Sequence, residues 1–566
     1  DDSRGRTFVR ATMLLRRGAS VVPRTRCYVG GAQRCLAIPS WATADPSTMS
    51  AADPAIGMNL VGGVWKSGDS YDRGLLELQD PLIGGTMMKV PNPTENEVDD
   101  YITRMKDCPR SGLHNPIKNP ERYTMLGDVM AKGAKELRKP EVLQYFGDLI
   151  QRVVPKSGPQ CLGEPTVTRK WMENYSSDNV RMLARTFGVP GDHPGQTSNG
   201  IRMPFGGVAV ITPFNFPLEI PALQTCSALF MGNQPMCKVD WKVAIVMEQF
   251  IRMLIHCGLP PTDLDFLYSD GPVANKILVD GDCRVLLFTG SQGIAEKLTA
   301  DLKGKVRLED AGFDWKVLGP DMPKENDIKY VAWQADQDAY AFSGQKCSAQ
   351  SMLLAHESWE AKGIFEMLKE KAAKRSLKDL TISPVLSWTT EKIQAHVDAC
   401  MALPGAELAI GGKPLTDHSI PDIYGAFEPT AVFIPLDTML ASQENFDLAT
   451  TELFGPFQVF TTWKDGEMDK VLKLLNKMPN HLTAGIVSND QQFLEEMLGN
   501  TITGTIYAGI RARTTAAPQQ HWFGPSGDPR AAGIHTAEAI KLCWSTHREI
   551  IMDRQPVPDD WEGKMS

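Results

Sequence analysis

The chain predicts an α/β protein built from two doubly wound units, with a pair of extended arms outside them. From residue 207 onward, apolar runs of strand length alternate with helical segments, the pattern of a parallel sheet with crossover helices. The alternation resumes after Cys347, and 566 residues exceed what one hydrophobic core usually serves, so a second unit follows. Residues 186–203 and 540–556 stand outside the alternation and read as extended.

Taken in order, the folded body begins near Asn59-Leu60-Val61-Gly62-Gly63-Val64-Trp65, an apolar, Gly-rich hairpin start. A turn at Asp80-Pro81-Leu82-Ile83-Gly84-Gly85 precedes a strand over 87–90 and a helix over 94–105, for which Thr94-Glu95-Asn96-Glu97 supplies a capping box. The first unit then takes strands at 207–211, 235–239, 265–268, 284–288 and 305–308. Helices fall at 218–230, 243–257, 272–279 and 292–301, the second stopped by Gly258 and Pro260. Cys347 heads the second unit, with strands at 351–355, 429–434, 457–462 and 482–488 and helices at 359–374, 466–476 and 490–498.

Composition excludes several functional classes. With 42% hydrophobic and 22% charged residues the chain is ordinary for a globular protein. A net charge of −9 without a long basic stripe argues against nucleic acid as a partner, and no apolar run has the length of a membrane span. Eleven scattered cysteines, never spaced C-x-x-C, argue against a disulfide framework or a zinc site and for a reducing compartment. Residues 3–44 hold eight Arg and no Lys, Asp or Glu. That is a transit-peptide composition, which sets residues 1–50 apart as a leader and points to mitochondria; a basic tail is the other reading.

Chemistry concentrates at Phe342-Ser343-Gly344-Gln345-Lys346-Cys347-Ser348, a cysteine in a Gly-Gln turn before a β-like run. A thiolate attacks carbonyl carbon, and a catalytic Cys needs positive charge or a helix N-terminus nearby to form one; Lys346 is adjacent. Alone, Cys347 is equally a small buried residue ahead of a strand.

Four further segments change that balance: Thr212-Pro213-Phe214-Asn215-Phe216-Pro217, Phe288-Thr289-Gly290-Ser291, Leu308-Glu309-Asp310-Ala311-Gly312 and Glu452-Leu453-Phe454-Gly455-Pro456-Phe457. With the cysteine segment, and in this order, they resemble the aldehyde dehydrogenase superfamily, from about residue 59 to 556. The resemblance implies an aldehyde dehydrogenase-like fold. The NAD-binding domain would span 51–185 and 204–309, the catalytic domain 310–539, and an oligomerisation arm 186–203 and 540–566. It implies Cys347 as nucleophile, Asn215 with the Cys347 N–H as oxyanion donors, and Glu309 as general base. NAD is the implied cofactor, with no metal. Thr212, Pro213, Phe214, Lys238, Gly290, Ser291, Glu452 and Phe454 fall to the coenzyme, where Lys238 takes the adenosine ribose, Glu452 the nicotinamide ribose and Phe454 packs beside the nicotinamide ring.

Three departures from the family pattern are visible. Asp310-Ala311 replaces Leu-Gly after Glu309, which places a second acid beside the base. Ala295 replaces the second Gly of the coenzyme turn, and Trp241 replaces a Glu three residues after Lys238.

The run Gly344 to Ala349, with Trp333 to Tyr340 and His521-Trp522-Phe523-Gly524-Pro525, is similar to the plant branch of the Δ1-pyrroline-5-carboxylate dehydrogenases within that family. That likeness implies oxidation of glutamate γ-semialdehyde to glutamate, in proline catabolism. Phe216, Ser348, Gly524, Ser526 and Gly527 would line the substrate site; Pro525 lacks an N–H, so carboxylate capture shifts to Ser526 and Gly527. Another semialdehyde or an aliphatic aldehyde is the second reading, and a cofactor-binding structural protein without turnover the third. A homo-oligomer, a small-molecule substrate and the mitochondrial matrix complete the expectations.

Overall fold

A computed structural model describes residues 38–310, 312–321, 324–515, 521–563 and 565. Most of the expected leader, residues 1–37, lies outside the described residues, as does Ala311 of the Glu309 segment.

Two seven-stranded sheets organise the chain. In the first, Val306–Asp310, Leu286–Gly290, Gly207–Thr212, Gln234–Val239 and Asp265–Phe266 run parallel, and the hairpin Asn59–Val61/Val64–Lys66 closes the edge antiparallel. In the second, Thr430–Phe433, Phe457–Trp463, Gln350–His356, Asp314–Leu318, Thr483–Val487 and Thr505–Ala508 are parallel, with Glu407–Ile410 antiparallel at one edge. Successive strand residues feed opposite faces: Val208 and Val210 enter one core and Ala209 another, while Met352 and Leu354 part from Leu353 and Ala355. Both faces are buried, which is why these strands are apolar throughout instead of alternating.

Several elements differ from the sequence expectation. The second sheet starts at Asp314–Leu318, ahead of Cys347, so the cysteine sits in the connection from helix Glu325–Tyr340 into the sheet's second strand in chain order and does not head the unit. The helix expected at 94–105 is Asp99–Asp107; Glu97 instead accepts from Thr94 N and Oγ1 at 2.8 and 2.6 Å and holds the turn before it. The helix expected at 359–374 breaks into Glu357–Glu360 and Ile364–Ala372, because Gly363 takes φ +75°. Residues 540–544 are not arm: they end helix Ala537–Trp544.

Between residues 106 and 186 the sequence reading assigned nothing, and a layer of three long helices lies there: Glu121–Leu137, Pro140–Val153 and Gly158–Asn174. Their Gly and Pro residues look like breakers. Yet Pro140 occupies the first turn, where its missing N–H costs nothing, and a Cβ at Gly127 would lie 1.8 Å from the Ser177 carbonyl, so that glycine serves close packing.

The packed body also reaches back before residue 51. Ala44 and Met49 are buried, and Trp41 stacks on Phe146 and meets Tyr145 edge-on, each at 5.7 Å.

The arms pair within the chain. Ser545–Asp553 runs antiparallel to Gln196–Pro204, with Gly188–Pro190 on the far side.

Candidate active site

The cysteine loop is a tight left-handed turn. Phe342 and Ser343 have φ of 58° and 48°, a conformation that costs non-glycine residues energy and persists only where surroundings enforce it. Ser343 Oγ accepts from Ser383 N at 2.8 Å, and the Gln345 side chain donates to Pro384 O at 2.9 Å and accepts from Leu386 N at 2.8 Å. Gly344, at φ +69°, lets the loop touch its neighbour: a Cβ there would stand 2.1 Å from the Gly455 carbonyl.

Cys347 opens into a cavity of about 290 Å³ that also receives Phe216, Glu309 and Ser348. Burial pushes the thiol well above its ordinary range, and the carboxylates of Glu309, Asp314, Glu452 and Glu219 push it further. Lys346 does not reverse this, since burial brings its own ammonium down to about 8. Burial and the neighbouring acids thus act against the thiolate that an adjacent Lys346 would favour.

Asn215 lies in the loop between strand Gly207–Thr212 and helix Glu219–Phe230, next to Phe216 of the cavity wall. Its side-chain amide is fully buried, and neither the nitrogen nor the oxygen has a hydrogen-bond partner. A buried amide without partners costs free energy, so its retention points to a ligand oxygen.

What holds that loop escaped the sequence reading. Lys156 and Glu164 form a buried ion pair behind it. Lys156 Nζ donates to Asn215 O at 3.1 Å and lies over the Phe216 and Phe342 rings at 4.5 and 5.1 Å, while Glu164 Oε2 accepts from Leu218 N at 3.1 Å. One ammonium therefore joins the Asn215 loop to the cysteine loop.

Glu309 lies in strand Val306–Asp310, in register with Thr289 of the neighbouring strand. It is buried beneath helix Glu219–Phe230, whose Gln224 touches it at 3.3 Å.

A second cleft, about 480 Å³, is lined by Thr212, Pro213, Lys238, Trp241, Thr289 and Gly290, with Asp240 and Asp270. It ends at the N-terminus of helix Gln292–Asp301, where unpaired backbone donors and the helix dipole suit a phosphate. These residues fit a dinucleotide. Ser291 is the exposed N-cap of that helix and does not line the cleft. Phe214 is buried against the Phe454 ring at 5.9 Å, and Glu452 and Phe454 border a small hollow on the far side of the cysteine loop with Gly344 and Lys346.

The loop expected to capture a carboxylate is elsewhere. Gly524, Ser526 and Gly527 do not line the cavity, and Ser526 N is taken by His481 O at 3.1 Å. Arg513 and Thr515 enter instead. They are braced by Asp338, which accepts from Thr514 N at 2.9 Å and Thr515 Oγ1 at 2.7 Å and is itself paired with buried Lys316 at 2.6 Å. Glu219 and His535, also missed, complete the wall 3.7 Å apart. Burial raises Glu219 to about 7 and lowers His535 to about 3, so the imidazole is neutral.

Among the described residues no cluster of metal-ligating side chains occurs, and no helix is long and apolar enough to cross a membrane.

Residues 65–538 match the family model for the aldehyde dehydrogenase family. A probable aldehyde dehydrogenase of Linum usitatissimum is 56% identical over 92% of this chain and 93% of its own length. The mitochondrial delta-1-pyrroline-5-carboxylate dehydrogenase 12A1 of Arabidopsis thaliana is 53% identical over the same shares. Among solved structures, an NADP-dependent glyceraldehyde-3-phosphate dehydrogenase from Bacillus halodurans superposes with a TM-score of 0.73 at 21% identity, covering 88% of this chain and 99% of that one. A betaine aldehyde dehydrogenase from Staphylococcus aureus reaches 0.75 at 17%, covering 89% and 98%. With a matched segment that contains the second sheet, all of the first but its edge hairpin, and the cavity beside Cys347 and Glu309, this chain belongs to the aldehyde dehydrogenase family.

Proposed function

We propose that the protein oxidises L-glutamate γ-semialdehyde, the open form of Δ1-pyrroline-5-carboxylate, to L-glutamate with NAD. The observation that carries this is the cavity shared by Cys347, Glu309 and Ser348 beside the buried, partnerless Asn215 amide.

The Cys347 thiol gives up its proton to solvent as the sulfur attacks the aldehyde carbon to give a thiohemiacetal, in the cavity that Glu309 also faces. The Asn215 amide and the Cys347 N–H stabilise its oxyanion; losing one such donor costs about 10²–10³ in rate. When bound, NAD supplies the hydride acceptor that converts the thiohemiacetal to a thioester. Glu309 then takes a proton from water, the hydroxide adds to the thioester carbon, and Cys347 departs as the carboxylic acid forms.

The substrate end rests on charge. The wall carries Arg513 and Lys346 against Glu219, both signs, as an amino acid's carboxylate and ammonium require, and Ser348 and Thr515 add hydroxyls. Similarity to the Arabidopsis enzyme named for this substrate supports the same reading. Asp240 and Asp270 in the coenzyme cleft disfavour the extra phosphate of NADP. The proposal extends to the domain division given above, to the roles of the coenzyme residues, to a homo-oligomer joined through the arm sheet, and to the mitochondrial matrix.

NADH production with glutamate γ-semialdehyde, succinic semialdehyde and propanal tests it. The amino semialdehyde should be preferred by kcat/KM at least about tenfold, because charged groups left unpaired in the wall penalise the other two. Cys347→Ala should abolish turnover. Equal efficiency on all three aldehydes would refute the substrate, and activity in the variant would refute the mechanism.

A further inference from the structure

The hydrogen bonds around Glu309 assign a role to two residues outside the cysteine and oxyanion groups: we propose that Gln224 and Thr289 position the Glu309 carboxylate for thioester hydrolysis. The inference rests on the reading of Glu309 as general base.

Parallel pairing sets the geometry. Thr289 and Glu309 are register partners on adjacent strands, so their side chains leave the sheet on the same face, and helix Glu219–Phe230 covers that face with Gln224. Gln224 Nε2 donates to Thr289 Oγ1 at 2.9 Å and to Glu309 Oε2 at 3.3 Å, and Thr289 Oγ1 donates its own proton to the same carboxylate oxygen at 3.3 Å. All three side chains are at most 4% exposed.

A glutamate has three side-chain torsions, and fixing them costs up to about 2 kcal/mol. An unheld Glu309 would spread over rotamers that do not face Cys347, and two donors converging on one oxygen remove that freedom. A purely structural role would be met more cheaply by an apolar side chain, since burying a primary amide under a sheet is costly unless its donors have work. Thr289 has a second neighbour: it also lines the coenzyme cleft, which places the base one residue from Gly290 of the coenzyme turn.

The test uses the full-length enzyme with glutamate γ-semialdehyde and NAD. It reads the NADH burst, kcat, KM and the acyl-enzyme population after acid quench, by intact mass. Gln224→Leu and Gln224→Met should keep the burst rate within about twofold and leave the aldehyde KM unchanged. Their kcat should fall about 10- to 100-fold, part of what a general base contributes, with acyl-enzyme accumulating. Thr289→Val, whose side chain also lines the coenzyme cleft, should accumulate acyl-enzyme, and Thr289→Ser should not, because it returns the hydroxyl. Parallel loss of burst and kcat in the Gln224 variants, or wild-type turnover in Thr289→Val, would overturn the assignment. If Gln224→Leu fails to fold, the Thr289→Val and Thr289→Ser pair decides alone. Glu309→Gln separates the two levels: its turnover without acyl-enzyme accumulation defeats the base reading, whereas accumulation there but not in the Gln224 and Thr289 variants defeats only the positioning role.

Discussion

At the scale of single residues, burial governs the site more than formal charge does. Cys347 has Lys346 beside it in sequence, yet burial first, and then the charges of Glu309, Asp314, Glu452 and Glu219, push the thiol well above its ordinary range. Glu219 shows the same physics with a consequence for stability. Burial raises it from the ordinary carboxylate range to about 7, opposed by Lys156 and Lys346, while neighbouring His535 stays neutral. A raised acid favours the fold only while protonated. Its contribution is therefore complete below the unfolded value near 4.3 and is lost as pH rises through about 7. Glu219→Gln should accordingly match the wild type in urea unfolding at pH 4 and exceed it at pH 8, by at most on the order of 3 kcal/mol. An equal difference at both pH values would contradict the account. Cys347, Asn215 and Glu309 were legible in sequence because each stands in a short motif. Arg513 and Glu219 were not, because no local pattern distinguishes a charged residue that turns inward from one that faces solvent.

Elements show where local pattern reading stops. Most strands buried on both faces were found to within about two residues, although the central strand Asp314–Leu318 was missed, whereas the helices at 121–174 were passed over, since their Pro and Gly are read as breakers until their neighbours are known. The segment 38–49 was similarly taken for leader. In the structure it straps the helices Pro140–Val153 and Ile245–His256: Thr43 N donates to Gln249 Oε1 at 2.8 Å, Tyr145 Oη to Ala44 O at 3.0 Å and Arg152 Nη2 to Met49 O at 2.8 Å. Trp41→Ala should lower stability by about 2 kcal/mol, less than a fully buried aromatic because the ring is only half-buried. A chain starting at residue 51 should melt lower still, and one starting at 38 should melt like the full chain. Equal melting temperatures for the two truncations would refute the strap.

For the whole molecule, the arm sheet is the feature without a role inside one chain. Its outer strand Ser545–Asp553 leaves an unpaired edge, and Phe187 and Ile551 are each 64% exposed on or beside the sheet. An open, partly apolar edge invites pairing with a second copy. Removing residues 545–566 should convert the proposed homo-oligomer to monomer in analytical ultracentrifugation while leaving both seven-stranded sheets folded by circular dichroism; an unchanged mass would refute the arm as interface.

The amino-acid sequence by itself determined the two α/β units, the order of five chemical motifs and hence the family, because strand periodicity and contiguous motifs are local properties of the chain. Tertiary structure alone decided which loop lines the cavity beside Cys347. Residues 524–527 lie in line with the motifs but are turned away, and Arg513 arrives because a buried Asp338, far off in sequence, holds its loop. The same holds for the upward push on the Cys347 thiol and the contacts of Glu309 with Gln224 and Thr289. Each depends on burial and on partners brought together by folding, and neither quantity is written in any short stretch of residues.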